Sequence, residues 1–361
     1  MRLTYITRVD ISSKAAQARQ IHSMARAFHS ELGNDFLLVC SGTVQPGSGI
    51  PHRSFFFSKI PKLRYLGVCL YAAARTLVRR DQAIITRDII VAAVVTALGG
   101  RAVYEAHKDP KGIISRYLVK GLARLQNFKL VTISGALGAF YQQHYGVHDR
   151  RLLVAHDGVF PEDYEELRKR PKSELRKELG LPLDKTLVVH TGSLYKGGAE
   201  LFGSVVEGRN NLCFVHVGGS IEEINKWESY YRERRITGIQ FIPHRPHQEI
   251  RKYQCSADML FYVTTEDNPI YWCTSPLKLF EYMASGVPVL GTPIGSVREI
   301  INKDNAYCFD PSHPSKIFEL ITEFLESPVD RKLISMSALK SVYSTYDWKI
   351  RANEIIKFCS L

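Results

Sequence analysis

Seven cysteines (Cys40, Cys69, Cys213, Cys255, Cys273, Cys308, Cys359) are scattered singly along the 361 residues, and no Cys-x-x-Cys pair occurs. That spacing excludes a zinc ribbon and argues against a disulfide framework, so small core residues are the expected role. No apolar run reaches the ~18 residues of a membrane span. The longest, residues 89–98, is interrupted only by Thr96 and suits a buried helix or strand. No signal-peptide core follows the strand-like residues 1–6, and the expectation is a cytosolic chain. Internal repeats and low-complexity tracts are missing as well. Hydrophobic content of 45% with 23% charged residues is ordinary globular usage, which excludes disordered and fibrous classes.

Acidic residues are scarce in the first part of the chain. Formal net charge is +12, yet residues 1–160 alone carry +13 from 22 Lys/Arg and 9 Asp/Glu, and the remainder sums to −1. An excess confined to one half suggests an extended anionic partner, whether nucleic acid, a membrane surface or a phosphorylated lipid. Solubility charge is the alternative, and no recognised nucleic-acid motif accompanies it. On a helical wheel, Leu63, Leu66, Leu70 and Leu77 share one sector, with Arg64, Arg75 and Arg79 roughly opposite. A basic amphipathic helix of this kind suits an anionic membrane surface; an ordinary surface helix packing its Leu stripe on a sheet is the competing reading.

Short β-rich runs at 3–7, 36–40, 82–86, 101–105 and 130–134 alternate with helical patterns, the first at about 15–28. Such alternation predicts a parallel sheet covered on both faces. A charged stretch over 162–177, bracketed by Pro161 and broken by Pro171, is the expected interdomain connection. The pattern then restarts at 187–191, 212–217, 240–242, 259–262 and 287–291. Two doubly wound domains, 1–165 and 180–344, are therefore expected to face a cleft, with ligands outside the carboxyl ends of their strands.

The most informative stretch runs from Cys273 to Gly291. Ser275 suits an N-cap, Pro276 the first helical position, and Gly286 followed by Pro288 a helix stop. Lys278 in the first turn opposes the helix dipole by ~0.3–1 kcal/mol. An anionic ligand there would reverse the sign, because free backbone N–H groups already form an anion site. A solvated Lys278–Glu281 pair at i,i+3 spacing is the alternative. His190-Thr-Gly-Ser-Leu-Tyr-Lys-Gly-Gly198 reads as a strand ending in a glycine-rich turn, which lets amides approach phosphate oxygens. His107 ends another strand, where it either faces a cleft ligand or is a satisfied core residue.

The run Ser275-Pro-Leu-Lys-Leu-Phe-Glu-Tyr-Met-Ala-Ser-Gly-Val-Pro-Val resembles the signature of the group 1 family of retaining GT-B glycosyltransferases, glycosyltransferase family 4-like. The resemblance covers essentially the whole chain, more strongly its second half. It implies an α/β GT-B fold of two Rossmann-like domains facing a cleft, with a C-terminal helix at about 345–361 crossing back to the first. The implied donor is a nucleotide-diphosphate sugar held by Thr274, Ser275, Pro276, Leu277 and Lys278, with Glu281 on the ribose hydroxyls. Gly192 and Ser193 match the phosphate loop, and Arg245, in Phe241-Ile-Pro-His-Arg-Pro246, lies where the base is read. By the same resemblance Lys196 would neutralise the leaving diphosphate, and His107 would contact the donor sugar. Two positions depart from the pattern: Cys273 stands where the first of two Glu residues belongs, and Ser193 where an Arg belongs.

Ser13 and Lys14, in the loop after the first strand, match the acceptor-side loop; with Arg64, Arg75 and Arg79 they form the expected acceptor or membrane side. The expected partners are a nucleotide sugar, a lipid-linked or oligosaccharide acceptor and an anionic membrane surface, with no nucleic acid. No cofactor or metal is expected, because no clustered carboxylates stand beside the phosphate elements. The implied activity is hexosyl or N-acetylhexosaminyl transfer in polysaccharide or cell-envelope synthesis, at the inner face of a membrane. A nucleotide-sugar epimerase or hydrolase on the same fold and a basic nucleic-acid-binding protein are the alternatives.

Overall fold

The computed structural model describes every residue except Lys14, Thr43, residues 45–47 and 56–60, Tyr195, Lys196 and Leu361, and leaves out the side chains of residues 61–64. Of the expected site residues, Lys14, Lys196 and the Arg64 side chain thus lie outside the described residues. The chain divides into two compact units, Met1–Asp157 with Cys273–Ser275 and Trp348–Leu361, and Gly158–Trp272 with Pro276–Asp347.

The first unit is built on a seven-stranded sheet, ordered β3-β2-β1-β4-β5-β6-β7. Its strands are β1 (Arg2–Asp10), β2 (Phe36–Ser41), β3 (His52–Ser54), β4 (Gln82–Thr86), β5 (Arg101–Ala106), β6 (Phe128–Thr132) and β7 (Leu152–Val154). Every pairing is parallel. Parallel strands are covered on both faces, which is why Leu3, Thr4, Tyr5, Ile6 and Thr7 are buried consecutively instead of alternating. Right-handed crossovers put α2 (Pro61–Val78), α3 (Ile89–Ala97), α4 (Ile113–Leu122) and α5 (Gly135–Tyr145) on one face, and α1 (Ala16–Leu32) on the other.

Helix α2 departs from the expectation of a Leu stripe packed on the sheet. Leu66, Leu70 and Leu77 face water, and the buried row is Val68, Ala72 and Thr76 at i, i+4 and i+8. These smaller residues let α2 lie close against α3. Arg75 is half-buried, and that desolvation lowers its basicity. Asp88, after β4, is occupied structurally: it caps α3 by accepting from the amides of Ile90 and Val91, and it pairs with Arg8 at 2.6 Å.

The second unit begins where a connection was expected. The charged stretch forms α6 (Glu162–Lys169) and α7 (Lys172–Leu179), which bury Tyr164 and Leu175 and pack on α10 (His247–Ser256). Its sheet runs β10-β9-β8-β11-β12-β13, again wholly parallel. The strands are β8 (Thr186–Thr191), β9 (Leu212–Val217), β10 (Ile239–Ile242), β11 (Met259–Tyr262), β12 (Val289–Gly291) and β13 (Tyr307–Cys308). The other helices are α8 (Gly203–Val206), α9 (Ile221–Glu233), α11 (Leu277–Ala284), α12 (Ser315–Glu326) and α13 (Pro328–Ser344).

The last helix, α14 (Trp348–Ser360), belongs to the first unit and packs on α1. It carries Arg351, which is 2% exposed and donates from Nη2 to Glu105 Oε1 on β5 at 2.7 Å. Removing one partner of such a pair leaves a buried charge uncompensated, at ~3–5 kcal/mol, whereas removing both is milder. Arg351→Met is accordingly expected to destabilise the protein strongly in denaturant unfolding. Adding Glu105→Gln should restore part of the loss, and strictly additive losses would mean the pair is not coupled.

Candidate functional site

In the second unit the polar groups gather at the carboxyl ends of β8, β9 and β10, where open α/β sheets bind ligands. Gly192 and Gly218 follow β8 and β9 with φ of 127° and 137°. A Cβ on Gly218 would lie 2.0 Å from the Gly192 carbonyl oxygen, so the two turns pack backbone on backbone. A Cβ on Gly192 would lie 2.8 Å from Lys278 Nζ. The lysine from α11 therefore folds over the turn that follows β8.

Behind Lys278 stands a buried pair of imidazoles. Lys278 Nζ lies 3.1 Å from His190 Nε2, and His190 Nδ1 lies 2.9 Å from His216 Nδ1. An ammonium can only donate, so His190 Nε2 is assigned as acceptor and its Nδ1 as donor to His216. Both rings must be neutral for that chain to hold. Burial, then the Lys278 charge, pushes His190 well below its ordinary range and His216 down to about 3.

Helix α11 starts differently from the sequence expectation. The N-cap is Pro276 rather than Ser275, and no side chain caps the first turn. Ser275 is buried, and its Oγ instead accepts from the Asp157 amide at 2.8 Å within the first unit. The first N–H groups of α11 thus lack a side-chain cap, which is the arrangement that accepts an anion. Glu281 is not a solvated side chain: it is only 8% exposed. Its Oε1 lies 2.8 Å from His247 Nε2, and its Oε2 accepts from Gln254 Nε2 at 3.3 Å. His247 and Gln254 carried no signal in the sequence beyond following Pro246 on a helix. Arg245 sits beside Glu249 at 3.5 Å, while Ser193, Thr274, Pro276 and Leu277 are half-buried. The Cys273 thiol is buried and pushed up to about 12 by desolvation, then by Asp109.

His107, in the first unit, enters a buried polar cluster at the end of β5. Its Nε2 is 3.6 Å from Glu105 Oε1, and its Nδ1 is 3.3 Å from Gln20 Nε2, which also donates to Asp157. Tyr5 donates to Glu105 Oε2 at 2.7 Å. Burial raises the Glu105 carboxyl, and Arg351, His107 and Arg87 together outweigh it, holding the group well below the usual carboxylate range. Burial and then Arg87 lower His107. Ser13 is exposed in the turn after β1, and Arg79 is half-exposed on the chain leaving α2. Among the described residues no three His, Cys, Asp or Glu are grouped to hold a metal ion, and no helix is long and apolar enough to cross a membrane.

Residues 185–327 match the family described as glycosyl transferases group 1. That span contains the His190 turn, Arg245, Lys278 and Glu281. The chain is 26% identical to the putative teichuronic acid biosynthesis glycosyltransferase TuaC of Bacillus subtilis, over 49% of this chain and 42% of TuaC. It is 34% identical to a sucrose synthase of Thermosynechococcus vestitus, over 24% of this chain and 11% of that enzyme. The chain therefore spans less than half the length of these two curated relatives. Among solved structures it resembles Anabaena HepE in complex with UDP-glucose, with a TM-score of 0.77, 16% identity, and coverage of 100% and 99%. WaaG, a glycosyltransferase of lipopolysaccharide biosynthesis, follows at 0.66, 16%, 98% and 99%. The fold is GT-B.

The imidazole pair gives the group 1 region a definite response to acid. An unfolded imidazole titrates near 6.5, whereas His190 and His216 stay neutral far below that in the folded unit. Above that value neither state is protonated. Below it the unfolded chain takes up protons that the folded chain refuses, so stability present at neutral pH is lost by about 1.4 kcal/mol per pH unit for each imidazole. His216→Gln is expected to flatten the fall in unfolding free energy between about pH 6.5 and pH 4. An unchanged slope would place the charged form of His216 in the folded state.

Proposed function

We propose that the protein is a retaining glycosyltransferase that moves a sugar from a nucleotide-diphosphate sugar to a lipid-linked or oligosaccharide acceptor. The observation that supports this most is the arrangement of α11. An uncapped helix start, Lys278 folded onto the Gly192 turn, and a buried Glu281 backed by His247 and Gln254 lie within one short helix and its immediate neighbours. In this reading the α11 amides and Lys278 hold the diphosphate, and Glu281 accepts from the ribose hydroxyls. Lys196 and the amides then stabilise charge that develops on the diphosphate as the sugar bond breaks, without reorganising at that moment. The departing phosphate takes the acceptor's proton on the face from which it leaves, so configuration at the transferred carbon is retained and no protein nucleophile is needed. His107 lines the sugar, and the basic first unit faces an anionic membrane surface carrying the acceptor.

HepE is solved with UDP and UDP-glucose, so uridine diphosphate sugars are the first donors to screen, by the thermal shift that ligand binding produces through mass action. Glu281→Gln is expected to weaken donor binding by ~1.5–3 kcal/mol, the value of a hydrogen bond to a charged group. Calorimetry showing unchanged donor affinity would remove the ribose role. Lys196→Ala should lower the transfer rate by at least about tenfold, or ~1.4 kcal/mol of barrier, while leaving the unfolding temperature near that of the parent. A rate within about twofold of the parent would end the phosphate role. Release of free nucleotide at full rate without any acceptor would instead favour a hydrolase or epimerase.

A further inference from the structure

The first unit exposes an apolar helical turn that neither the donor site nor its own core uses. Ile113, Ile114 and Tyr117, in the first turn of α4, are 69%, 68% and 70% exposed, while Val119 and Leu122 on the opposite side are buried. Ile113 and Tyr117 are neighbours at i,i+4, and Ile114 flanks Tyr117 at i,i+3, so the three form one patch. Single exposed apolar residues need no explanation, but three on one turn do. Lys111, Arg116, Lys120 and Arg124 are all exposed around them. No Asp or Glu occurs between Asp109 and Asp149, so this cationic surround is undiluted along the chain. The turn also has a defined place in the unit. β5 ends at Ala106, His107 follows, and residues 107–112 lead directly into α4. The patch therefore stands at the carboxyl-end rim of the sheet, beside the buried cluster that holds His107.

We propose that the first turn of α4 is the element that enters an anionic lipid surface, with Ile113, Ile114 and Tyr117 at the boundary of headgroups and acyl chains and the four basic residues on lipid phosphates. An apolar side flanked by Lys and Arg is the pattern of helices that lie in the interface, and Tyr favours that depth because one end of its ring is apolar and the other wet. Leu66, Leu70 and Leu77 of α2 are exposed on the same helical layer of the unit, whereas Arg75 is half-buried. Leu66, Leu70 and Leu77 of this layer are thus turned outward more than Arg75. This inference rests on the reading of a membrane-borne acceptor, and it names the residues that would meet that membrane.

Co-flotation of the full chain with vesicles of phosphatidylcholine mixed with phosphatidylglycerol is the test, beside vesicles of phosphatidylcholine alone. Wild type should float with the anionic vesicles at low salt. The triple variant Ile113→Ser, Ile114→Ser, Tyr117→Ser should partition at least about tenfold more weakly, equivalent to ~1.4 kcal/mol. A second variant with Lys111, Arg116, Lys120 and Arg124 all changed to Gln should lose the preference for anionic vesicles. A third, Arg75→Gln with Arg79→Gln, should float like wild type. As an independent readout, indole emission from the Tyr117→Trp variant should be quenched by lipids brominated on their acyl chains. Nucleotide-sugar binding, measured by calorimetry without lipid, should be unchanged in all of these, so loss of it would implicate the donor reading and not the lipid one. Flotation of the Ser variant equal to wild type would overturn the proposal, as would wild type failing to float or the Tyr117→Trp variant escaping quenching. Retained flotation with a raised KM for a soluble, lipid-free acceptor would also overturn it, since the patch would then be part of an acceptor groove.

Discussion

The contact between the Arg351 guanidinium and the Glu105 carboxylate is closed to water on every side, at 2% and 1% side-chain exposure. Ions cannot be left in such a place unpaired, so the pair fixes both of its elements. It brings α14, from the far end of the sequence, onto the strand that ends beside His107. The same carboxylate takes the Tyr5 hydroxyl from β1, and Asp157, 3.9 Å from Arg351, takes Gln20 from α1. Side chains at positions 5, 20, 105, 157 and 351 are thereby committed to one arrangement at the end of β5, where His107 is held. A network of this kind contributes less to net stability than to specificity of arrangement, because the desolvation of its charges offsets much of their attraction.

In the second unit a related problem is met by a pair of imidazoles. Lys278 carries a charge at the start of a helix, where the dipole opposes it. Its ammonium rests against a neutral His190, which is kept neutral by burial and by the lysine itself, and whose Nδ1–H donates to His216. A carboxylate there would have neutralised the lysine. An imidazole pair orients it instead over the Gly192 turn.

Much of this was legible in the sequence because it lies in periodicity and in short-range chemistry. The alternation of strands and helices placed β1, β4, β5 and β8 to β12 close to where they occur, and the 275–289 run located α11. The three-residue strands β3 and β7 and the two-residue β13 were not readable, since segments that short carry no period; β12, equally short, was placed by the run that contains α11 just before it. The stretch expected as a connection has eight-residue helices because Tyr164 and Leu175 bury their side chains, with Leu167 and Leu179 packed beside the same core, and two apolar residues per helix among so many charges are too few to show as a stripe. Ser275 was misplaced for a different reason. Its type suited an N-cap, but the amide of Asp157, more than a hundred positions earlier, claims its hydroxyl, and no local rule contains that partner.

The buried partners of the candidate site were hidden for the same reason, and they bear on its two departures from the group 1 pattern. Ser193 removes a cation beside the glycine turn, and Cys273 removes an anion ahead of α11, so the two changes offset each other in charge. The Cys273 thiol, pushed up to about 12, is neutral at physiological pH and restores no anion. One carboxylate then remains on α11, Glu281, and it is turned toward His247 and Gln254 rather than toward the glycine turn. Lys278 folded over Gly192 is left as the described cation at that turn, with neutral imidazoles behind it. A group with two negative phosphates is what such a turn favours, and the lost carboxylate is one that would have repelled it. On the proposed donor reading, discrimination among sugars would then rest on uncharged contacts, which weigh each hydroxyl by whether it is left unpaired and not by attraction to a fixed charge.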